Sequence, residues 1–147
     1  MVLCIAIGNP LRGDDGVALH ALRLISPRPG LRLIETHQLL PELAVHIATA
    51  ETVCFLDADP NCSEATLVEM ELEPAGKPEP ARAITLAHHL SIADVLTLAI
   101  RLYGFSGQAF QCHIPAKQLE HGSKLSLYAE KAACQAAKII NERIEGL

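Results

Sequence analysis

Apolar residues of this 147-residue chain gather in short continuous runs, separated by segments with a helical period. Runs of this kind are typical of strands that are buried on both faces of a parallel sheet. They predict strands over four ranges: Val2–Ile7, Leu31–Glu35, Thr52–Leu56 and Gln108–Ile114. A further segment, Thr66–Leu72, alternates apolar with acidic side chains, which predicts a half-exposed strand or an edge strand.

The segments between these strands predict helices. Their apolar residues recur at helical spacing over four ranges: Asp15–Ile25, Pro41–Ala50, His88–Tyr103 and Ser123–Ile144. The helix from His88 is apolar on almost every side, so we expect neighbouring elements to cover it. Two N-caps are possible for this helix: Thr85, or Ser91 in a capping box with Asp94.

Strands that alternate with helices along a short chain predict a mostly parallel sheet. We therefore expect an α/β fold. It would be a single three-layer α/β/α domain over residues 1–147, with a twisted, mostly parallel central sheet and helices on both faces. Because ligands of such folds bind at the carboxyl ends of the strands, polar side chains that follow the strands are the first candidates for a site.

Charge and cysteine content exclude several kinds of partner. Twelve basic and 17 acidic residues give a net charge of −5, so neither nucleic acid nor an anionic membrane is expected as a partner. No apolar run reaches the ~18 residues of a membrane span, and no basic leader precedes the first strand, which favours a cytoplasmic protein. None of the five cysteines forms a Cys-x-x-Cys pair, so we expect buried reduced thiols and no cysteine zinc site.

The turn that follows the first strand, Gly8–Gly16, has an unusual composition. Its glycines, at positions 8, 13 and 16, do not have the G-x-G-x-x-G spacing of a dinucleotide site. Two adjacent carboxylates, Asp14 and Asp15, would also repel a phosphate group. A cap on the following helix is the simplest role for one of the two aspartates, and it leaves the other without a role.

Further groups with chemical capacity follow the second and third strands or open the apolar helix: His37, Asp57, Asp59, His88 and His89. Taken singly, Asp57 could be a turn residue and His88 a capping or surface histidine. Together with the Gly8–Gly16 turn, they bring carboxylates and an imidazole to one sheet edge, which suits a borderline divalent metal such as nickel or zinc. The sequence has neither the H-E-x-x-H nor the G-x-S-x-G signature of familiar hydrolases.

Five segments, taken in order, resemble the nickel–iron hydrogenase maturation endopeptidases: "IGNPLRGDDGV", "HQLLPELA", "FLDAD", "AHHLSIADVL" and "IPAKQLEHG". The resemblance covers about the whole chain, and the combination of "GNPLRGDDG" with "LEHG" is its specific part. It implies an α/β domain with a central sheet between helices. The implied activity is one proteolytic cut, which removes the C-terminal extension of the hydrogenase large-subunit precursor after nickel insertion.

The resemblance also implies site residues. In the family an acid in the glycine-rich loop, an Asp at the end of a middle strand and a His that opens the next long helix contact the metal. By motif position these are Asp15, Asp57 and His88, which would form both the catalytic and the metal-contacting set. The nickel would arrive with the precursor, and zinc or cadmium would be a surrogate in the free protein.

One segment departs from the family pattern. Many members have a "GGT-x-G" sequence where this chain reads "THQLLPEL", which brings His37 and Glu42 near the expected site. Because His89 stands beside His88, either of the two histidines could be the metal ligand. For the cleavage step we favour a metal-polarised water with Asp15 or Asp57 as the base. The alternative is a non-catalytic, nickel-sensing or metallochaperone-like α/β binding protein.

Overall fold

The computed structural model describes residues 1–72 and 90–147. In these two ranges the strands are β1 Val2–Ile7, β2 Leu31–Thr36, β3 Thr52–Asp59, β4 Thr66–Met70 and β5 Gln108–Pro115. The helices are α1 Val17–Arg23, α2 Leu43–Ala48, α3 Ile92–Tyr103 and α4 Leu127–Glu145. A 3-10 segment, Pro10–Gly16, joins β1 to α1.

The strands form one sheet in the order β2-β1-β3-β5-β4. Neighbouring strands are parallel except for β4, which pairs antiparallel with β5. The edge position of β4 was predicted from its alternating pattern, and its direction was not. The register places Ile7 opposite Asp57, and Asp57 opposite His113. The carboxyl ends of β1, β3 and β5 therefore meet at the same edge of the sheet.

Helices cover the sheet on both sides, because successive side chains of a strand point to opposite faces. In β1, Cys4 and Ala6 pack with α1 and α4, whereas Leu3 and Ile5 pack with α2 and α3. All four of these side chains are fully buried. The predicted α/β architecture, with a mostly parallel sheet between helices, is confirmed.

Several boundaries differ from the prediction, and each difference has a local cause. The first α-helix begins at Val17 instead of Asp15, because Asp15 and Gly16 still belong to the 3-10 segment. The apolar helix begins at Ile92 instead of His88. Ser91 accepts a hydrogen bond from the Asp94 N–H and donates its own N–H to the Asp94 carboxylate, so the capping box is the correct one of the two expected starts.

The cysteines follow the prediction only in part. Cys4, Cys54 and Cys112 are buried, but Cys62 is half-buried and Cys134 is exposed, so the expectation of burial is wrong for these two. Burial raises the pKa of the Cys112 thiol to about 12, which keeps it protonated. In residues 1–72 and 90–147, no helix is both long and apolar enough to cross a membrane.

Candidate functional site

The glycine-rich turn folds back against the end of β1. Asn9 caps the 3-10 segment, since its side-chain oxygen accepts a hydrogen bond from the Leu11 N–H at 3.0 Å. Gly8 lies so close to the backbone oxygen of Asp15 that any larger residue there would collide with it. This close approach explains why the turn needs glycine, and it brings Asp15 back to the carboxyl edge of the sheet.

Asp15 is half-buried, and its carboxylate points toward the end of β1. One oxygen, Oδ2, accepts a hydrogen bond from the Asn9 N–H at 2.9 Å. The helix that follows is capped by Gly16 without any side-chain hydrogen bond, so neither aspartate caps α1, and that simple expectation is wrong. Asp15 is instead tied to the strand end by one of its two oxygens.

Asp57 belongs to β3, which runs on to Asp59, so the alternative of a turn residue is wrong. Burial is the main cause that raises the pKa of the Asp57 carboxyl, and repulsion by Asp15 and Asp59 adds to it. The Ala58 N–H and the charge of His113 act in the opposite direction. The net result is a pKa of about 6. Asp15 and Asp57 are therefore close enough to repel each other.

An imidazole that the sequence did not single out lies next to this pair. His113 of β5 sits opposite Asp57, and its Nδ1 lies 3.3 Å from an oxygen of Asp59. The same carboxylate also accepts a hydrogen bond from the Asn61 N–H at 2.8 Å. A single histidine inside a strand carries no signal in the sequence, because only the strand order shows that β3 and β5 are neighbours.

Asp14 has a different environment from that of Asp15. Its side chain is fully buried and accepts hydrogen bonds from Lys117, Gln118 and Ser126, in the connection between β5 and α4. The two adjacent aspartates thus point to different partners. Asp14 joins the turn to a distant part of the chain, and Asp15 faces the sheet edge.

Two other candidate residues, His37 and Glu42, have exposed side chains. His37 follows β2, and Glu42 immediately precedes α2. His88 and His89 lie outside the described residues. In the described parts of the chain, no three or more His, Cys, Asp or Glu side chains form a group that could hold a metal ion.

Solved structures with the same architecture exist, whereas the comparisons with protein-family models and with curated proteins give no match. The [NiFe] hydrogenase maturation protease HycI from Thermococcus kodakarensis KOD1 is 20% identical, with a TM-score of 0.69 over 98% of this chain and 92% of that one. HybD from E. coli, a hydrogenase maturating endopeptidase, is 15% identical, with a TM-score of 0.72 over 99% and 92%. The hydrogenase 2 maturation peptidase from Thaumarchaeota archaeon SCGC_AB-539-E09 is 20% identical, with a TM-score of 0.68 over 98% and 97%.

This chain has the fold of the hydrogenase maturation proteases. The fold implied by the sequence motifs is therefore confirmed over nearly the full length of the chain. At these identities the likeness concerns the fold, and the chemistry of the site depends on this chain's own residues.

Two of those residues could contribute ligands to a divalent cation. Two half-buried carboxylates, Asp15 and Asp57, repel each other at the sheet edge, and a cation between them would remove that repulsion. Carboxylate oxygens are suitable ligands for a first-row divalent ion, but two side chains leave most of its coordination positions open. Such a site suits a metal that already has ligands of its own.

Proposed function

We propose that this protein is an endopeptidase that removes the C-terminal extension of a nickel–iron hydrogenase large-subunit precursor after nickel insertion. The observation that carries the proposal is the position of Asp15 and Asp57. These two carboxylates belong to the two motifs that resemble the maturation endopeptidases, and they interact at the edge where ligands of α/β sheets bind. The shared fold with HycI and HybD supports the same activity.

In this proposal the nickel belongs to the substrate. Asp15, Asp57 and His88 would contact the nickel that the precursor's cysteines already hold, so that cleavage depends on correct metal loading. The support for the carboxylates is their crowding, which favours a bound cation. The support for His88 is its place in the "AHHLSIADVL" motif. Zinc or cadmium would bind the free protein as a surrogate.

Cleavage needs a base that removes a proton from the attacking water. We assign this role to one of the two carboxylates, which makes the protein an aspartic-type endopeptidase. Either Asp15 or Asp57 can accept the proton, because both carboxylates lie at the edge of the sheet where the substrate would bind. The water adds to the scissile carbonyl carbon, this carboxylate takes its proton, and the proton then passes to the leaving amine. Nickel from the precursor polarises the water or the carbonyl.

The test is incubation of the protein with nickel-loaded large-subunit precursor, followed by mass spectrometry of the precursor. We expect loss of a C-terminal peptide with the wild-type protein and no loss with Asp57→Asn. A stable complex without any loss of mass would instead support the nickel-sensing or metallochaperone-like binder. The cytoplasmic location expected from the sequence stays a prediction.

A further inference from the structure

Asp14 is the one charged side chain that is fully buried in residues 1–72 and 90–147, and the proposed reaction does not use it. A buried carboxylate is costly unless donors satisfy it. Asp14 has four donors. Oδ2 accepts hydrogen bonds from the Lys117 N–H at 2.8 Å, the Gln118 N–H at 3.0 Å and the Ser126 hydroxyl at 2.8 Å. Oδ1 accepts one from the Ser126 N–H at 2.8 Å.

These bonds fasten the turn to the connection between β5 and α4. The backbone adds to them, because the Asp14 N–H donates to the Gln118 carbonyl at 2.6 Å and the Gly122 N–H donates to the Leu11 carbonyl at 2.9 Å. At Gly13, any larger side chain would collide with the Gln118 carbonyl and with Ser123. The two parts of the chain are therefore in direct contact at Leu11, Gly13 and Asp14.

We propose that Asp14 is a positioning residue, whose bonds to the β5–α4 connection hold the turn so that the Asp15 carboxylate stays at the sheet edge beside Asp57. The role of Asp15 in cleavage rests on the proposed function, whereas its placement by Asp14 does not. Asp15 directly follows Asp14, and among the described residues its carboxylate accepts one hydrogen bond, from the Asn9 N–H of the same turn. A movement of the backbone of the turn would therefore move this carboxylate as well.

The same contacts join the two most specific motifs of the sequence. "GNPLRGDDG" contains Asp14, and "LEHG" lies within the connection that Asp14 binds. Ser126 completes the link, because its hydroxyl donates to Asp14 and also accepts a hydrogen bond from the Ala129 N–H in the first turn of α4. A movement of the β5–α4 connection would therefore move Asp14, and with it the adjacent Asp15.

The first test reads the position of Asp15 directly, without substrate. The NMR chemical shift of the Asn9 amide proton reports the hydrogen bond to Asp15. The Asp15→Ala variant shows how far this signal moves when the bond is lost. We expect Asp14→Asn to move the Asn9 amide signal by at least about half as much. Ser126→Ala removes one of the four bonds and should move it less, in the same direction. Ser123→Ala is the matched control, because Ser123 lies in the same connection but donates to Glu120.

A purely structural Asp14 gives a different result. The amide signals of Lys117, Gln118 and Ser126 would then move in Asp14→Asn and Ser126→Ala, while that of Asn9 stays at its wild-type position. That outcome would overturn the proposal. Should Asp14→Asn fail to fold, Ser126→Ala alone decides between the two results.

Precursor cleavage gives a second, separate readout. At a temperature where circular dichroism shows every variant folded, we expect Asp14→Asn to lower kcat by about 10-fold to 100-fold, with KM within about twofold. Ser123→Ala should keep both values. Unchanged kcat in folded Asp14→Asn would contradict the positioning role. If the wild-type protein does not cleave at all, the proposed function fails, and the Asn9 signal still decides the role of Asp14.

Discussion

Two carboxylate environments lie side by side in this molecule and differ in one physical property. Asp14 is fully buried, yet its pKa is lowered: burial raises it, but the N–H groups of Ser126, Gln118 and Lys117 and the Ser126 hydroxyl outweigh burial. Asp57 is less buried, yet its pKa rises to about 6, because burial and neighbouring carboxylates outweigh the Ala58 N–H and His113. Four hydrogen bonds thus outweigh burial at Asp14, whereas at Asp57 burial outweighs the single N–H that favours the charged form.

The largest expected effect concerns Asp15 and Asp57. Asp15→Asn and Asp57→Asn should each lower precursor cleavage by about 1,000-fold or more, since each removes a charge that faces the nickel. Asp59→Asn is the matched control and should be much milder, because Asp59 binds His113 and Asn61. Cleavage is measured by C-terminal mass loss and folding by circular dichroism. A folded Asp15→Asn that cleaves at the normal rate would show that the ligand assignment is wrong.

The histidines of the site should give a graded loss. His88→Ala should remove most of the activity and the weak zinc, cadmium or nickel binding of the free protein, whereas His89→Ala should cost little of either. His37→Ala should be intermediate if the "THQLLPEL" segment lines the cleft. Calorimetric metal titration of the three variants measures this. Full loss of metal binding in His89→Ala, with no loss in His88→Ala, would show that His89 and not His88 is the metal ligand.

For stability, unlike for cleavage, Asp14 should matter more than the adjacent Asp15. Asp14→Ala leaves three part-buried N–H groups without their acceptor and should lower the free energy of unfolding by about 3 kcal/mol. Asp15→Ala loses one part-buried hydrogen bond and should cost about 1 kcal/mol. Urea unfolding followed by circular dichroism measures both. Equal losses would contradict the distinction between a structural and a reactive carboxylate.

The smallest expected effect is the pH dependence of stability, which should have opposite signs for Asp57 and Asp14. The folded-state pKa of Asp57, about 6, is above the ordinary 3.8, so ionisation of Asp57 lowers stability as pH rises from about 4 to 6. Asp57→Asn should therefore gain about 1–2 kcal/mol relative to wild type across this window.

The pKa of Asp14 is below 3.8, so its contribution to stability is present above pH 3.8 and is lost as pH falls through the folded pKa. The stability deficit of Asp14→Asn should therefore shrink at acid pH.

Urea unfolding at a series of pH values tests both signs. Asp59→Asn is a suitable control for the removal of a neighbouring charge. A stability difference between Asp57→Asn and wild type that does not change between pH 4 and pH 7 would show that Asp57 is not crowded in the folded protein.

The sheet was predictable because its signals are local. Continuous apolar runs mark β1 and β3, and the motif residue Asp57 directly follows such a run. The capping box of Ser91 and Asp94 is likewise a short-range pattern.

The role of Asp14 and the position of His113 were not predictable in this way. The donors to Asp14 lie more than 100 residues away in the sequence, between 103 and 112 positions along the chain. His113 becomes a neighbour of Asp57 only through the order of strands in the sheet. Hydrophobic periodicity carries information about which face of an element is buried, and it carries none about contacts between distant loops.

Cleavage of nickel-loaded and nickel-free large-subunit precursor, compared side by side, tests the central claim most directly. The enzyme is first treated with a chelator and freed of it, and C-terminal mass loss is followed over time. If Asp15 and Asp57 act on the nickel that the substrate carries, only the loaded precursor is cut, and the chelator treatment has little effect. Efficient cleavage of the nickel-free precursor would contradict the account.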